Sequence, residues 1–317
     1  MASKCLITGS TGFIGVNLSS YLNDRGKFFD VLSREQLQMV TEDDLNGYET
    51  IIHLAGKAHD LRKTSMRLEY YQVNFGLTKR LYDAFQKSSA KKFIFISSVK
   101  AAADQLDEIL TEDIIAQPQT DYGISKLLAE QYLTEFKGDS DKSLFILRPC
   151  MTHGKGNKGN LNLLFKLIKS GMPYPLAAFE NQRSFLSVQN LCFVINEIVD
   201  RQDIPNAIYN VADDEPLSTG EVVSILADAL TKKARQWRIS PKTIKLIAMT
   251  GDFLRLPFTS ERLKKLTEDY VVSNKKIKSA INKPLPLSVR EGLQLTASAF
   301  VDNRERQIQF IVLPKTA

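Results

Sequence analysis

Cysteine is scarce in this chain. Cys5, Cys150 and Cys192 are odd in number, widely spaced and form no C-x-x-C pair. This argues against a disulfide framework and a cysteine-rich metal site, and it is the usage expected in a reducing, cytoplasmic compartment. Also missing is an uninterrupted apolar run near the roughly 18 residues that span a bilayer, or a basic n-region leading into an apolar one. A soluble chain without an integral membrane segment is therefore expected. Internal repeats and low-complexity linkers are absent too. Charge is nearly balanced, with 42 Lys+Arg against 36 Asp+Glu, a net +6. The densest basic stretch, Lys232 to Lys245, carries a single aromatic residue, Trp237, where a nucleic-acid channel would interleave several. No nucleic-acid partner is expected. A solvated face is its default reading, with attraction of a phosphorylated substrate or of anionic lipid headgroups as the functional alternative.

What is present is ample core material: 317 residues at 43% hydrophobic content suffice for one large or two closely joined domains. Over the first half, strand-like runs at 4–8, 28–33, 50–55, 92–97 and 143–148 alternate with helical patterns near 12–25, 68–88 and 122–136. Such alternation predicts an α/β fold of the Rossmann type, a doubly wound parallel sheet with crossover helices. The texture changes after Arg148, with a Gly/Asn-rich loop at 153–160 and shorter mixed elements beyond. A dinucleotide-binding domain is thus expected over 1–150. A smaller mixed α/β substrate domain is expected over 151–317, with strand-like segments at 184–188 and 207–211 able to return to the main sheet or its edge.

Gly9, Gly12 and Gly15 stand three residues apart in Thr8-Gly-Ser-Thr-Gly-Phe-Ile-Gly15, between the first strand and the first helix. The first glycine permits a tight turn, the second lets a pyrophosphate approach the main chain, and the third lets helix pack closely on strand. With Thr11, Phe13 and Ile14 they form a dinucleotide-binding turn whose helix N-terminus faces the phosphates.

Tyr122-Gly-Ile-Ser-Lys126 places a phenol and an ammonium on one helix face. The ammonium is expected to pull the phenol's pKa from about 10 towards a working general acid–base range. The pair follows a strand ending in Ser97-Ser98, at the carboxyl edge where doubly wound sheets keep their sites. There Ser98 would hydrogen-bond the substrate oxygen that Tyr122 protonates or deprotonates.

With these motifs in this order, the chain resembles the extended short-chain dehydrogenase/reductases of the NAD-dependent epimerase/dehydratase family, the nucleotide-sugar enzymes. Ile51-Ile-His-Leu54-Ala55-Gly56 is similar to that family's fourth-strand segment and Tyr71-Gln-Val-Asn74 to its helix asparagine. Leu147-Arg-Pro149 and Gly154-Lys-Gly156 resemble its segment at the nicotinamide and sugar. The resemblance implies Ser98, Tyr122, Lys126 and Asn74 as catalytic residues, Lys126 also holding the nicotinamide ribose. It implies cofactor contacts from Leu54, Ala55, Gly56 and Pro149 besides the glycine turn. Asn160, Arg183 and, more weakly, Arg262 are the implied grip on substrate pyrophosphate and nucleotide; an arginine fork suits phosphate.

The wording around Ser97–Lys100, Gly156–Asn160 and Asn181–Phe185 is most similar to bacterial polysaccharide enzymes, UDP-sugar 4-epimerases and UDP-4-keto-6-deoxy-HexNAc 4-reductases. Both exchange hydride between nicotinamide and sugar C4 while the tyrosine handles the proton on O4. A dehydratase is disfavoured because Val99-Lys100 stands where that branch carries Asp-Glu. A non-catalytic NADP(H)-binding sensor of the same fold is the contrasting reading. At the second strand's end, where an acidic residue would bond the NAD ribose, the chain has Leu32-Ser33-Arg34. Ser33 and Arg34 accommodate a 2′-phosphate, so NADP(H) is favoured; Glu35 keeps NAD(H) open. The sugar and its nucleotide stay open as well.

Relatives pair the helices near 68–88 and 122–136 as a four-helix bundle. Leu81, Phe85, Leu127, Leu128 and Tyr132 there suggest a homodimer. His53 reads as a hydrogen-bonded core histidine. His153 stands where the family carries tyrosine in a sugar-side loop, read equally as a surface histidine or as a substrate contact titrating near 6.5. Cys150 reads as a buried filler. Asp44 and Leu45 match an adenine-side position, and the segment beyond Asp302 reads as a frayed tail or an added strand.

Overall fold

The computed structural model describes residues 4–57, 66–135, 141–157, 160–254 and 258–311, with side chains as far as residue 300 and Asn160 excepted. The chain opens with β1 (Cys5–Thr8), α1 (Phe13–Asn23), β2 (Phe29–Leu32) and α2 (Arg34–Gln38), then β3 (Thr50–His53). One long helical run follows in three pieces: α3 (Arg67–Tyr70), a wider π-helical turn over Tyr71–Gly76, and α4 (Leu77–Lys87). Next come β4 (Lys92–Ile96), α5 (Asp121–Glu135) and β5 (Ser143–Pro149). β6 (Met151–His153), α6 (Asn160–Lys169) and β7 (Phe185–Ser187) lead into α7 (Val188–Asp200) and β8 (Ile208–Val211). The remainder is helical: α8 (Thr219–Ala229), α9 (Pro241–Phe253), α10 (Ser260–Thr267), α11 (Lys275–Ile281) and α12 (Val289–Ile311).

Two compact units result. The first comprises 1–151, 188–212 and 272–286, and the second comprises 152–187, 213–271 and 287–317. The first holds a six-stranded, wholly parallel sheet in the order β2-β1-β3-β4-β5-β8. Its strands are apolar on both faces, as a sheet covered on both sides requires: Ile7, Ile51, Phe93, Phe95, Phe145 and Leu147 are all at most 1% exposed. α4 and α5 cover one face, Leu81, Phe85, Ala129 and Leu133 packing with Leu37, Leu45 and Phe93. α1 and α7 pack together as another layer of the unit.

Two lysines close helix ends where carbonyls lack partners. Lys92 Nζ donates to Ile198, Val199 and Arg201 O (2.9, 3.1 and 2.6 Å) at the end of α7. Lys142 Nζ donates to Phe85, Ser88 and Ala90 O (2.8, 2.7 and 3.0 Å) at the end of α4.

Of the two segments expected to return to the main sheet, β8 does so beside β5, whereas β7 pairs with β6 in a separate two-stranded sheet. In the second unit α8 contacts α6 and α12, and α12 also contacts β7. The chain end is helical to Ile311, where a frayed tail or added strand had been expected. Leu81 and Phe85, read as dimer positions, are 0% and 1% exposed and belong to the core; Leu127, Leu128 and Tyr132 are half-buried. Among the described residues no helix is long and apolar enough to cross a membrane.

Candidate active site

The sheet order reverses between β1 and β3, so a crevice opens beyond their carboxyl ends. Gly9 turns the chain there with φ +74°, in the left-handed region, and a Cβ on it would lie 2.5 Å from Ala55 N. A Cβ on Gly15 would lie 2.2 Å from Gly9 O, so α1 starts directly against the turn. Thr11 and Gly12 are exposed, Phe13 and Ile14 half-buried. The α1 N-terminus has neither a side-chain cap nor an acidic residue in its first turn. An anion is what such an end accepts.

The β3 end is held by a relay through a buried histidine. Ala55 N donates to Thr8 Oγ1 (3.3 Å), which contacts His53 Nδ1 (2.7 Å); His53 Nε2 contacts Thr78 Oγ1 (2.9 Å), which donates to Asn74 O (2.7 Å). Because the Thr78 proton goes to Asn74 O, His53 must donate from Nε2 and accept at Nδ1. Burial, aided by the Lys126 charge, pushes its pKa down to about 3.

Asn74 lies in the π-helical turn, fully buried. Its Oδ1 accepts from Lys57 N (2.7 Å) while its Nδ2 donates to Lys57 O (3.1 Å) and Ser125 Oγ (3.0 Å). Ser125 Oγ in turn donates to Tyr122 O (2.8 Å). Asn74 thus ties the segment after β3 to the α5 turn that carries Tyr122. Leu54 N bonds Thr8 O (3.2 Å), and Pro149 closes β5 opposite Val211.

Tyr122, Lys126 and Glu130 follow one another at four-residue spacing on α5. Ser98, at the end of β4, caps a short 3-10 turn by accepting from Lys100 N (3.2 Å) and hydrogen-bonds the Tyr122 phenol. The phenol's pKa is raised, against the downward shift expected. Burial dominates, the Ser98 hydrogen bond opposes it and Tyr70, edge-on at 6.1 Å, adds to it. Lys126 Nζ points elsewhere, donating to Ile96 O (2.8 Å) and lying 4.7 Å from the Phe95 ring centroid. Burial brings the Lys126 pKa down to about 8, with Glu130 opposing.

A Cβ placed on Gly56 would meet Asn74 Oδ1 at 3.0 Å and Lys126 Nζ at 3.2 Å. Gly56 is exposed, so backbone, amide and ammonium border one open cradle. Together with the uncapped helix end, this donor set fits a dinucleotide. Ser33 and Arg34, both exposed, begin α2, and Ser33 Oγ is engaged in a capping box with Gln36 (3.2 Å). Asp44 accepts from Thr41 N (2.8 Å) and Oγ1 (2.9 Å), beside buried Leu45.

In the second unit Arg183 Nη1 donates to Lys265 O (2.7 Å) on α10, the helix that also carries exposed Arg262. Asn160 is the first residue of α6 and its side chain lies outside those described. His153 is fully buried on β6, not a surface loop residue: Nδ1 bonds Thr296 Oγ1 (2.8 Å) and burial pushes its pKa down to about 4. A titration near 6.5 is thereby overturned. Cys150 is buried, and among the described residues no cluster of potential ligands could hold a metal ion.

A parallel six-stranded sheet with a glycine turn at its switch point and a Ser–Tyr–Lys set at its carboxyl edge defines a Rossmann-type, dinucleotide-binding enzyme architecture. Residues 5–212 match the NAD dependent epimerase/dehydratase family, and the chain belongs to that family. It is 30% identical to a UDP-glucose 4-epimerase of Vibrio cholerae, over 96% of this chain and 98% of that one. It is 28% identical to the N-acetyl-alpha-D-glucosaminyl-diphospho-ditrans,octacis-undecaprenol 4-epimerase of Escherichia coli O157:H7, over 74% of each. Among solved structures it shares its fold with MoeE5 in complex with UDP-glucuronic acid and NAD (TM-score 0.74, 19% identity, 95% and 99% of the two chains). RMD from Pseudomonas aeruginosa complexed with NADPH has the same fold (TM-score 0.72, 19% identity, 95% and 100%).

Proposed function

We propose that this enzyme is an NAD(P)-dependent oxidoreductase acting at C4 of a UDP-sugar, working as a 4-epimerase. The observation that carries this reading is the hydrogen bond between Ser98 and the Tyr122 phenol at the sheet's carboxyl edge, with Lys126 one helical turn further along α5. A near relative over almost the full chain, named as a UDP-glucose 4-epimerase, supports the same reaction.

The bound nicotinamide supplies reversible hydride exchange with sugar C4. The chain's residues do the rest. Tyr122 moves the proton on O4, and its raised pKa favours the protonated phenol as the resting form. Ser98 orients that oxygen. Lys126 holds the ribose. Asn74 fixes the segment 54–57 against which the dinucleotide lies, and Gly9, Thr11, Gly12, Phe13, Ile14 and Gly15 receive its pyrophosphate, with Pro149 on the nicotinamide side. Arg183, Arg262 and Asn160 are the candidates for the substrate's diphosphate. A homodimer in the cytoplasm is the proposed working form.

A second reading, a 4-reductase using NADP(H), is favoured by one observation: β2 ends without an acidic residue, and exposed Arg34 opens α2. The test incubates the protein with UDP-glucose and UDP-GlcNAc without added cofactor, and in parallel with NADPH and a UDP-4-keto-6-deoxy-N-acetylhexosamine. Conversion to C4 epimers supports the first reading; stoichiometric loss of reduced-nicotinamide absorbance replaces it with the second. Tyr122→Phe should cost about 100- to 10,000-fold in turnover, with dinucleotide affinity retained; full activity of that variant would remove Tyr122 from the chemistry.

A further inference from the structure

Helix α9 turns an apolar face outward. Its inner side is small and compact: Ile244, Ala248 and Gly251, spaced by four and three residues, are buried, and α10 contacts the helix. On the opposite side Leu246, Met249 and Phe253 recur at i, i+3 and i+7 with 64%, 62% and 86% exposure. Ile247 (51%) and Leu254 (56%) form a neighbouring stripe. Such periodicity normally marks the face a helix buries. Contiguous exposed apolar surface of this kind marks an interaction site, whereas single exposed apolar residues do not.

The segment leading into the helix is basic throughout, while on the helix itself Asp252 accepts from Ser260 N (3.1 Å). Lys242 and Lys245 stand on the same helix, and Lys232, Lys233, Arg235 and Arg238 precede it; all six are exposed, and no acidic residue lies between 232 and 245. Within this run Trp237 is 57% exposed. An apolar stripe flanked by lysine, arginine and tryptophan is the composition of helices that lie in the plane of an anionic membrane surface.

We propose that α9, with the basic segment before it, docks the enzyme onto an anionic lipid bilayer, the stripe of Leu246, Met249 and Phe253 entering the headgroup–acyl boundary. Charge decides against a second copy as the occupant. Pairing this face with itself would bring two such basic segments together, whereas anionic headgroups neutralise them. With 13 residues α9 lies on the surface and does not cross it. The inference does not depend on which sugar the active site turns over.

The test uses the full chain and two vesicle populations, phosphatidylcholine alone and phosphatidylcholine with about 30% phosphatidylglycerol. The chain has one tryptophan, so Trp237 emission is an internal reporter. Expected are co-sedimentation with the anionic vesicles only and a blue shift of that emission. Leu246→Ser with Phe253→Ser should reduce binding at least tenfold. Lys242→Gln with Lys245→Gln should reduce it by about fivefold per lysine at low salt. All four side chains are exposed, so circular dichroism should be unchanged and vesicle-free activity kept. Equal binding to both vesicle types, or unchanged binding by the Ser variant, overturns the proposal. So does a dimer in analytical ultracentrifugation that the Ser variant dissolves while neither protein binds vesicles.

Discussion

Glu130 and Arg148 form a buried ion pair, Glu130 standing one helical turn beyond Lys126 on the same face of α5, with side chains 2% and 5% exposed. Arg148 Nε reaches Oε1 and Oε2 at 3.0 and 3.1 Å and Nη2 reaches Oε2 at 2.5 Å, while the Ser97 hydroxyl also donates to Oε1. Glu130 is at the same time the acidic group that opposes the burial-driven fall of the Lys126 pKa. The pair joins α5 to β5 and, through Ser97, to the segment just after β4, and Glu130 favours the charged form of the lysine.

Removing one partner strands the other charge. Glu130→Gln should cost about 3–5 kcal/mol in chemical denaturation, while Glu130→Met with Arg148→Met should cost less than the sum of the single changes. The same Gln variant should move the alkaline limb of the pH–rate profile downward, because Lys126, already at about 8, loses the group that raises it. A limb that stays in place would mean that Lys126 does not feel Glu130.

Asn74 makes three hydrogen bonds that join Lys57 to Ser125. Asn74→Ala leaves the Lys57 amide and carbonyl without those partners and should lower stability by about 1–3 kcal/mol. It should also weaken dinucleotide binding by roughly tenfold, because the segment beyond β3 loses its tether. Asn74→Asp keeps the acceptor for Lys57 N and loses both donations, so it should fall between the two. Calorimetric titration of NAD and NADP against the three proteins gives the order.

Arg34 tests cofactor choice. Arg34→Ala should weaken NADPH at least tenfold and leave NADH nearly unchanged, since only the former carries the 2′-phosphate that a guanidinium grips. Ser33 is a different case: its hydroxyl caps α2, so Ser33→Ala should cost about 0.5–2 kcal/mol of stability even without cofactor. Equal loss for both cofactors in the arginine variant would place Arg34 outside the ribose site.

Much of the sheet was legible because parallel strands are short apolar runs bounded by turn residues, and the Gly9–Gly15 turn carries its geometry in its spacing. What was illegible depended on burial. The Tyr122 pKa was read downward from Lys126 alone, yet in the folded unit the ammonium turns to Ile96 O and desolvation of the phenol dominates. His153 sits beside a run of glycines that reads as loop, but β7 and α12 enclose it through Phe185 and Thr296. The π-helical turn at Asn74 leaves no mark in a helical pattern. Glu130 did leave one: four residues beyond Lys126 on the same face, with an arginine at the end of the next strand, it was findable from spacing.

Two buried histidines predict how the protein responds to acid. Thr296 Oγ1 donates to Gly292 O (2.9 Å), so its contact with His153 Nδ1 (2.8 Å) is a donation from the ring, leaving Nε2 as the unprotonated nitrogen. Among the described residues that Nε2 is buried without a hydrogen-bond partner, and Asp213 Oδ2, 3.9 Å away, is beyond hydrogen-bond reach. A proton there must therefore charge a buried ring, which holds the pKa at about 4, as burial holds His53 at about 3. Both folded values lie below the unfolded value of about 6.5, so the unfolded chain binds more protons between pH 6.5 and 4 and stability falls on acidification through that window. His153 alone should account for roughly 3 kcal/mol by pH 4. Guanidinium unfolding at a series of pH values should show a slope shallower by about one proton for His153→Gln, whose amide can still donate to Thr296. Parallel curves for the two proteins would mean that His153 is protonated equally in the folded and unfolded chains.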